Sequence, residues 1–195
     1  MPEMKLSCDC GALKGKANIA KPSIGNRLLC YCKDCRTFAE QLGKGNQVLD
    51  QWGGSEVYQL PINSVEFEEG KDNISCLRFG EKGLYRWYAK CCDTPIGNTL
   101  GANMPFIGLI SCIYCQDTSK DAVLGEVLGA VHVNSATSPL PMDDKQKQTP
   151  FWLFPRIIAK LLMWKLTGKA NPNPLFTNGK PNCQLTIVSS PTELP

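Results

Sequence analysis

Closely spaced cysteines constrain this chain more than any other feature of its sequence. The chain has 11 cysteines in 195 residues, and most of them fall into tight groups. The groups are Cys8 and Cys10; Cys30, Cys32 and Cys35; and Cys91 and Cys92. An odd total in C-x-C and C-x-x-C spacings favours metal ligation over a framework of paired disulfides. The sequence therefore predicts zinc, one or two ions per chain, bound by cysteine thiolates.

The remaining composition describes an ordinary globular domain. Apolar residues make up 43% of the chain and charged residues 20%, which argues against wholesale disorder. The net charge is only +3, and no basic run is interleaved with aromatic residues, so we expect no nucleic-acid partner. The first six residues contain no apolar stretch typical of a signal peptide. We therefore expect a cytoplasmic protein whose thiols stay reduced.

The first two thirds of the chain carry a β pattern. Short segments rich in β-branched and aromatic residues alternate with glycine, proline, asparagine and aspartate. This pattern predicts a mainly β domain built from antiparallel hairpins. The predicted strands are 27–30, 56–60, 75–79, 84–89 and 106–113.

Two short helices are predicted within this β pattern. Asp34 can cap a helix over 35–42 that ends at Gly43. Thr118 or Ser119 can cap a second helix.

A longer apolar helix is predicted near the C-terminus, at 155–168. Pro155 suits its first turn and Gly168 supplies its end. The helix is shorter than the roughly 20 residues that a bilayer-spanning helix needs, so we expect no transmembrane segment. Its apolar surface predicts docking on the β domain, a homodimer partner or another protein, with attachment to a membrane surface as the alternative. The predicted organisation is a zinc-binding β domain at 1–133, followed by a linker and C-terminal extension at 134–195.

The segment C-Y-C-K-D-C at 30–35 is the strongest local motif. Cys30, Cys32 and Cys35 can converge on one tetrahedral ion, with Zn–S distances of about 2.3 Å. The helix N-terminus, Lys33 and Arg36 favour the thiolate form of these cysteines. Three protein ligands leave one position open, which is typical of a zinc that takes part in chemistry.

A second, structural zinc site is predicted from the two outer cysteine groups. Cys8 and Cys10 would combine with Cys91 and Cys92, and such a site contributes directly to the free energy of folding. Adjacent cysteines can share one ion only if the chain turns sharply at that point. The identity of the fourth ligand is therefore left open by the sequence.

These motifs resemble those of the glutathione-dependent formaldehyde-activating enzyme family, also called the CENP-V/GFA domain family, which has the Mss4-like (β-tent) fold. The resemblance is carried by C-D-C-G at 8–11, C-Y-C-K-D-C-R at 30–36 and C-D-T-P-I-G at 92–97. It implies a structural zinc on Cys8, Cys10 and Cys92, and a catalytic zinc on the 30–35 motif. Tyr31 departs from the histidine usual in that family. The last cysteine pair of that family would place a cysteine at position 89, where this chain has Ala89, and Cys91 is the substitute ligand. The chain is therefore similar to a divergent branch of the family.

The resemblance also implies a function, namely carbon–sulfur lyase chemistry on adducts of a small thiol with an aldehyde, such as S-hydroxymethylglutathione. Glutathione would be a co-substrate, and Lys33, Arg36 and Arg86 are the candidates to bind its carboxylates. Fold alone does not decide function. The alternatives are a non-catalytic zinc module that binds a protein partner, and a redox sensor that releases zinc when the 30–35 motif is oxidised.

The other cysteines and the single histidine receive structural interpretations. Cys76 and Cys183 have no cysteine neighbour in sequence, and we expect them to be small buried apolar side chains. Cys112 and Cys115 form a further C-x-x-C in an apolar, strand-like run, where burial is favoured over a redox or ligand role. His132, between two valines, is predicted to be a strand residue rather than a catalytic base.

Overall fold

A computed structural model of the chain describes residues 3–114 and 120–188. This part of the chain is mainly β, which confirms the predicted fold class. The strands are β1 (Glu3–Ser7), β2 (Lys14–Asn18), β3 (Asn26–Cys30), β4 (Ser55–Pro61), β5 (Val65–Glu69), β6 (Ile74–Phe79), β7 (Tyr85–Ala89), β8 (Thr94–Thr99), β9 (Phe106–Ile110), β10 (Ala130–Val131), β11 (Phe176–Thr177), β12 (Lys180–Pro181) and β13 (Leu185–Val188). The α-helices are α1 (Lys33–Gln41), α2 (Gly45–Val48), α3 (Lys120–Leu124) and α4 (Leu153–Leu166).

One large sheet organises the fold. Its eight strands follow the order β10-β3-β4-β9-β8-β7-β6-β13. Its central pairs are antiparallel, as the hairpin pattern predicts, whereas β10 and β13 pair in parallel at the two edges. Strands β1, β2 and β5 form a separate antiparallel sheet. The region predicted as a C-terminal extension therefore adds its strand β13 to the edge of the large sheet.

Both faces of the large sheet are covered by apolar side chains. Alternation along β9 directs Leu109 and Ile110 to opposite faces, where they join different apolar clusters. Trp87 belongs to the larger cluster, which also includes side chains of the three-stranded sheet. On the other face α1 packs through Phe38 and Ala39. This packing places the N-terminus of α1, and its cysteines, directly over the sheet.

The structure corrects the predicted start of α1. The helix begins at Lys33 rather than 35, and its N-cap is Cys32 rather than Asp34. The Cys32 Sγ accepts a hydrogen bond from the Cys35 backbone N at 3.4 Å. The Asp34 carboxylate is turned instead towards Arg86. A thiol therefore takes the role that aspartate usually has at this position.

Other predicted boundaries also change. Strand β9 ends at Ile110, and Ser111–Ile113 forms a 3-10 turn, so Cys112 does not lie on a strand. His132 follows the short strand β10 and adopts a left-handed conformation with φ of 57°. It is thus a turn residue rather than a strand residue. The capping candidates Thr118 and Ser119, together with Cys115, lie outside the described residues.

The predicted C-terminal helix is confirmed as α4, although it starts at Leu153. It ends close to Gly168, which has a φ of 69° that glycine adopts without strain. Leu153 and Trp164 are its buried side chains. Arg156 also attaches it, because its Nε donates to Asn26 Oδ1 at 2.9 Å. No described helix has both the length and the apolar character needed to cross a membrane.

Candidate metal centres

Two tight turns bring the outer cysteines together. The β7–β8 connection carries Cys91 and Cys92, and it reverses sharply at Asp93, whose φ is 55°. The β1–β2 connection carries Cys8 and Cys10. It turns through Gly11, whose φ is 75°. The sharp turn that two adjacent cysteine ligands require is therefore present.

The four sulfurs of this group have the spacing of a tetrahedral zinc site. The Sγ–Sγ distances are 3.5 Å for Cys8–Cys10, 3.7 Å for Cys8–Cys91, 3.4 Å for Cys10–Cys91 and 3.8 Å for Cys91–Cys92. Zn–S bonds of about 2.3 Å in a regular tetrahedron place the sulfurs about 3.8 Å apart. The group could thus hold one metal ion with little rearrangement, and it uses both adjacent cysteines.

Hydrogen bonds from the surrounding chain support this four-cysteine group. The Leu13 backbone N donates to Cys8 Sγ at 3.2 Å. The buried Thr94 hydroxyl accepts from the Asp9 backbone N at 3.0 Å, and its oxygen lies 3.1 Å from Cys92 Sγ. Burial opposes ionisation of Cys92, but the hydrogen bonds from Thr94 and from the chain at Cys10 lower its pKa to about 6. The surroundings therefore favour the thiolate, the form that binds metal.

The second group consists of Cys30, Cys32 and Cys35, whose sulfurs lie within 4.8 Å of one another. Cys30 ends β3, Cys32 caps α1 and Cys35 lies in the first turn of that helix. Cys35 is buried, whereas Cys30 and Cys32 are half-buried. In the described part of the chain, no fourth cysteine, histidine or carboxylate joins this group. The group could hold a metal ion with one side left open to an external ligand.

A buried arginine lies against this three-cysteine group. Arg86, on β7, is only 1% exposed. Its Nη1 donates to Cys35 Sγ at 3.6 Å and its Nη2 to Asp34 Oδ2 at 3.3 Å. Hydrogen bonds from Cys30 and Cys32, followed by the Arg86 charge, hold the pKa of Cys35 well below its usual value. Three thiolates around a divalent ion leave one net negative charge, which the guanidinium can offset.

The other residues predicted for the reactive site occupy different surroundings. Lys33 is exposed at the start of α1. Arg36 donates from its Nη1 to the Ser135 carbonyl oxygen at 3.0 Å. Tyr31 is fully buried and donates its hydroxyl proton to Asp50 Oδ2 at 2.9 Å. Of the three basic candidates for glutathione binding, Arg36 and Arg86 therefore contact different groups, and Lys33 is exposed.

Sequence reasoning missed one feature of the four-cysteine group and one pair of cysteines outside both groups. Thr94 belongs to the C-D-T-P motif that follows the last cysteines, which is the signal that could have identified it. Cys76 is buried as predicted, whereas Cys183 is only half-buried, and the two side chains interact with each other. They meet because the parallel pairing of β13 with β6 sets Leu185 opposite Cys76. Cys112 donates to the Pro95 carbonyl oxygen at 3.2 Å, and burial raises its pKa to about 12.

The fold and the two cysteine groups define a mainly β protein with two sites that could hold metal ions. The chain belongs to a family of unknown function, DUF6151, whose model matches residues 2–186. No curated protein matches it. A crystal structure of a protein from Rhodobacter sphaeroides is similar, with 20% sequence identity and a TM-score of 0.44, and the match covers 64% of this chain and 97% of that one.

Proposed function

We propose that this protein binds two zinc ions, one structural and one reactive, and that the reactive site catalyses carbon–sulfur lyase chemistry on thiol–aldehyde adducts. The supporting observation is the contrast between the two cysteine groups. The outer group offers four sulfurs at tetrahedral spacing, whereas the 30–35 group offers three sulfurs. A complete ligand set is typical of structural zinc, and an incomplete set is typical of catalytic zinc.

In this proposal Cys30, Cys32 and Cys35 hold the reactive zinc. When bound, the ion supplies a position for the sulfur of a small thiol or for a polarised carbonyl oxygen. Half-buried Cys30 and Cys32 leave this side accessible, while Arg86 offsets the negative charge of the thiolates from the buried side.

The proposed reaction is reversible and needs no redox partner. In the direction of adduct formation, a carbon–sulfur bond forms between the thiol sulfur and the carbonyl carbon. The thiol proton ends on the new hydroxyl oxygen. The lyase direction breaks the same bond and returns thiol and aldehyde. Formaldehyde and glutathione as the substrate pair follow from the resemblance to the glutathione-dependent formaldehyde-activating enzyme family, and exposed Lys33 is the cation best placed to meet a substrate carboxylate.

The first test is zinc stoichiometry, measured by elemental analysis on reduced protein purified without chelator. We expect two zinc ions per chain. Cys32→Ser should lose one ion and stay folded, whereas Cys10→Ser should lose one ion together with much of its stability. Cys112→Ser is the matched control, because this cysteine belongs to neither group and donates a hydrogen bond to the Pro95 carbonyl oxygen. If the native chain binds only one zinc ion and Cys32→Ser retains that ion, the proposed reactive site is refuted.

The second test is turnover. Exchange NMR on glutathione and formaldehyde would report the interconversion of free thiol and adduct, with and without the zinc-loaded protein. We expect acceleration by the native chain and by Cys112→Ser, and none by Cys32→Ser. If Cys32→Ser and the native chain accelerate the exchange equally, the lyase proposal is wrong.

A further inference from the structure

Helix α4 carries a contiguous apolar surface on its outer side. The described segment around it contains a concentration of large apolar residues that are exposed to solvent. We call the following set the apolar stripe: Phe151, Trp152, Phe154, Ile158, Leu162, Met163 and Leu166. Positions 154, 158, 162 and 166 are four apart and therefore lie along one face of the helix. Contiguous exposed apolar surface of this kind marks an interaction site.

The inner side of α4 carries the residues that attach the helix to the rest of the protein. Leu153 and Trp164 are buried against the protein. Lys160 donates to the Ile24 carbonyl oxygen at 3.0 Å, and Arg156 donates to Asn26. These contacts orient the helix so that the apolar stripe faces outward. The apolar stripe is therefore exposed although the opposite side of the helix is packed against the protein.

All the charged residues of the sequence segment that contains the stripe are basic. Between Asp144 and Glu193 the sequence has no acidic residue. The same segment has the following basic residues: Lys145, Lys147, Arg156, Lys160, Lys165, Lys169 and Lys180. Among the described residues, no basic side chain of α4 takes part in a salt bridge. Burial, followed by the charges of Arg156 and Lys21, lowers the pKa of Lys160 to about 8. The basic side chains of α4 therefore have no acidic partner among the described residues.

We propose that α4 docks this protein on an anionic lipid surface. The apolar stripe would enter the boundary between headgroups and acyl chains, with the helix lying in the plane of the surface. Fourteen residues give a length of about 21 Å, which suits this orientation and not a span. Exposed Lys165 and Lys169 lie at the C-terminal end of the stripe, from which their long side chains can reach lipid phosphates.

Charge also favours an anionic lipid surface over a second copy of the chain as the partner of the apolar stripe. A two-fold contact between two copies of α4 would bring together two sets of basic side chains, Arg156, Lys160 and Lys165, for which the described residues show no salt bridge. Like charges placed opposite each other oppose association, whereas an anionic surface attracts each of them. Aromatic residues at one end of the stripe, Phe151, Trp152 and Phe154, are also of the type that favours a lipid interface.

The test is co-sedimentation of the zinc-loaded, 195-residue chain with phosphatidylcholine vesicles, with and without phosphatidylglycerol. We expect binding that requires phosphatidylglycerol and weakens as salt increases. The double variant Ile158→Glu with Leu162→Glu should bind at least about 100-fold more weakly, since burying each large side chain contributes about tenfold or more. Met142→Glu is the matched control, because Met142 is 93% exposed and outside the stripe. Zinc content and circular dichroism would verify folding.

Leu166→Glu provides a second variant for the case in which the double variant fails to fold. Leu166 is 87% exposed at the last position of α4, so its replacement should weaken vesicle binding without affecting the core. Three results would overturn the proposal: no binding to either kind of vesicle, binding that the stripe variants leave unchanged, or a dimer in solution that the stripe variants dissociate in the absence of vesicle binding. The last result would assign the stripe to a second copy.

Discussion

The Thr94 hydroxyl offers the sharpest test of how the four-cysteine group is supported. Thr94→Val keeps the shape of the side chain and removes one oxygen that accepts from Asp9 and lies 3.1 Å from Cys92 Sγ. A hydrogen bond to a charged group contributes about 1.5–3 kcal/mol. Loss of a polar partner of a metal ligand typically lowers metal affinity about 10–100-fold, which corresponds to about 1.4–2.8 kcal/mol. The two magnitudes agree, so we expect Thr94→Val to raise the zinc dissociation constant of this group about 10–100-fold.

Stability should fall as well. The Asp9 backbone N loses its acceptor in Thr94→Val, and a typical hydrogen bond contributes about 0.5–1.5 kcal/mol to stability. The measurement is equilibrium competition with a chromogenic zinc chelator, carried out in a Cys32→Ser background so that the four-cysteine group is observed alone. Denaturant unfolding of the same samples gives the change in free energy.

Two control variants separate the metal effect from general destabilisation. Thr94→Ser retains the hydroxyl and should bind zinc nearly as tightly as the native chain. Thr99→Val removes another buried hydroxyl of β8, which accepts from Trp87 Nε1 at 3.0 Å, and should destabilise the fold without changing zinc affinity. Equal zinc affinities for Thr94→Val and Thr99→Val would refute the proposed support of Cys92.

Three further predictions concern other parts of the molecule. Arg86→Met should weaken zinc binding at the three-cysteine group by at least about tenfold, and Arg86→Lys should restore part of the affinity. The same chelator competition measures both variants, and an unchanged zinc affinity in Arg86→Met would contradict the charge-balancing role of Arg86. Hydrogen peroxide should oxidise the neighbouring thiols of Cys76 and Cys183 to a disulfide with release of two water molecules. Peptide mass spectrometry would detect the cross-link, which the Cys183→Ser variant should lack. No cross-link in the oxidised native chain would contradict the prediction that these two thiols are close enough to react. Gly70→Ala should destabilise the fold by more than about 2 kcal/mol, because Gly70 has a φ of 70° and a Cβ would lie 1.9 Å from the Ala12 carbonyl oxygen. A change in the free energy of unfolding below about 0.5 kcal/mol, measured with denaturant, would contradict that clash.

Much of the candidate metal chemistry could be predicted from local sequence. The C-x-C and C-x-x-C spacings bring sulfurs together wherever the chain turns, so the grouping at 30–35 needs little more than the end of a strand and the start of a helix. Strand patterns were equally local, and β3, β4, β6 and β7 lie within one residue of their predicted bounds. The central strand β8 was not predicted, and β9 ends three residues earlier than predicted. Gly168 ended α4 as expected, because a left-handed position after a helix favours glycine.

Tertiary structure decided which distant groups meet. The sequence makes Arg86 a candidate to bind the carboxylates of glutathione, yet strand pairing and the packing of α1 bury it against Cys35. Cys76 and Cys183 come together only through the parallel pairing of β13 with β6.

The sequence by itself thus determined the cysteine groups, the mainly β class and the apolar C-terminal helix, because each depends on residues close together in the chain. The tertiary structure decided that Thr94 and Arg86 support the thiols, and that the apolar stripe faces outward. These outcomes depend on strand register and on which helix face is buried. Both are set by contacts between segments far apart in the chain, and local spacing does not encode them.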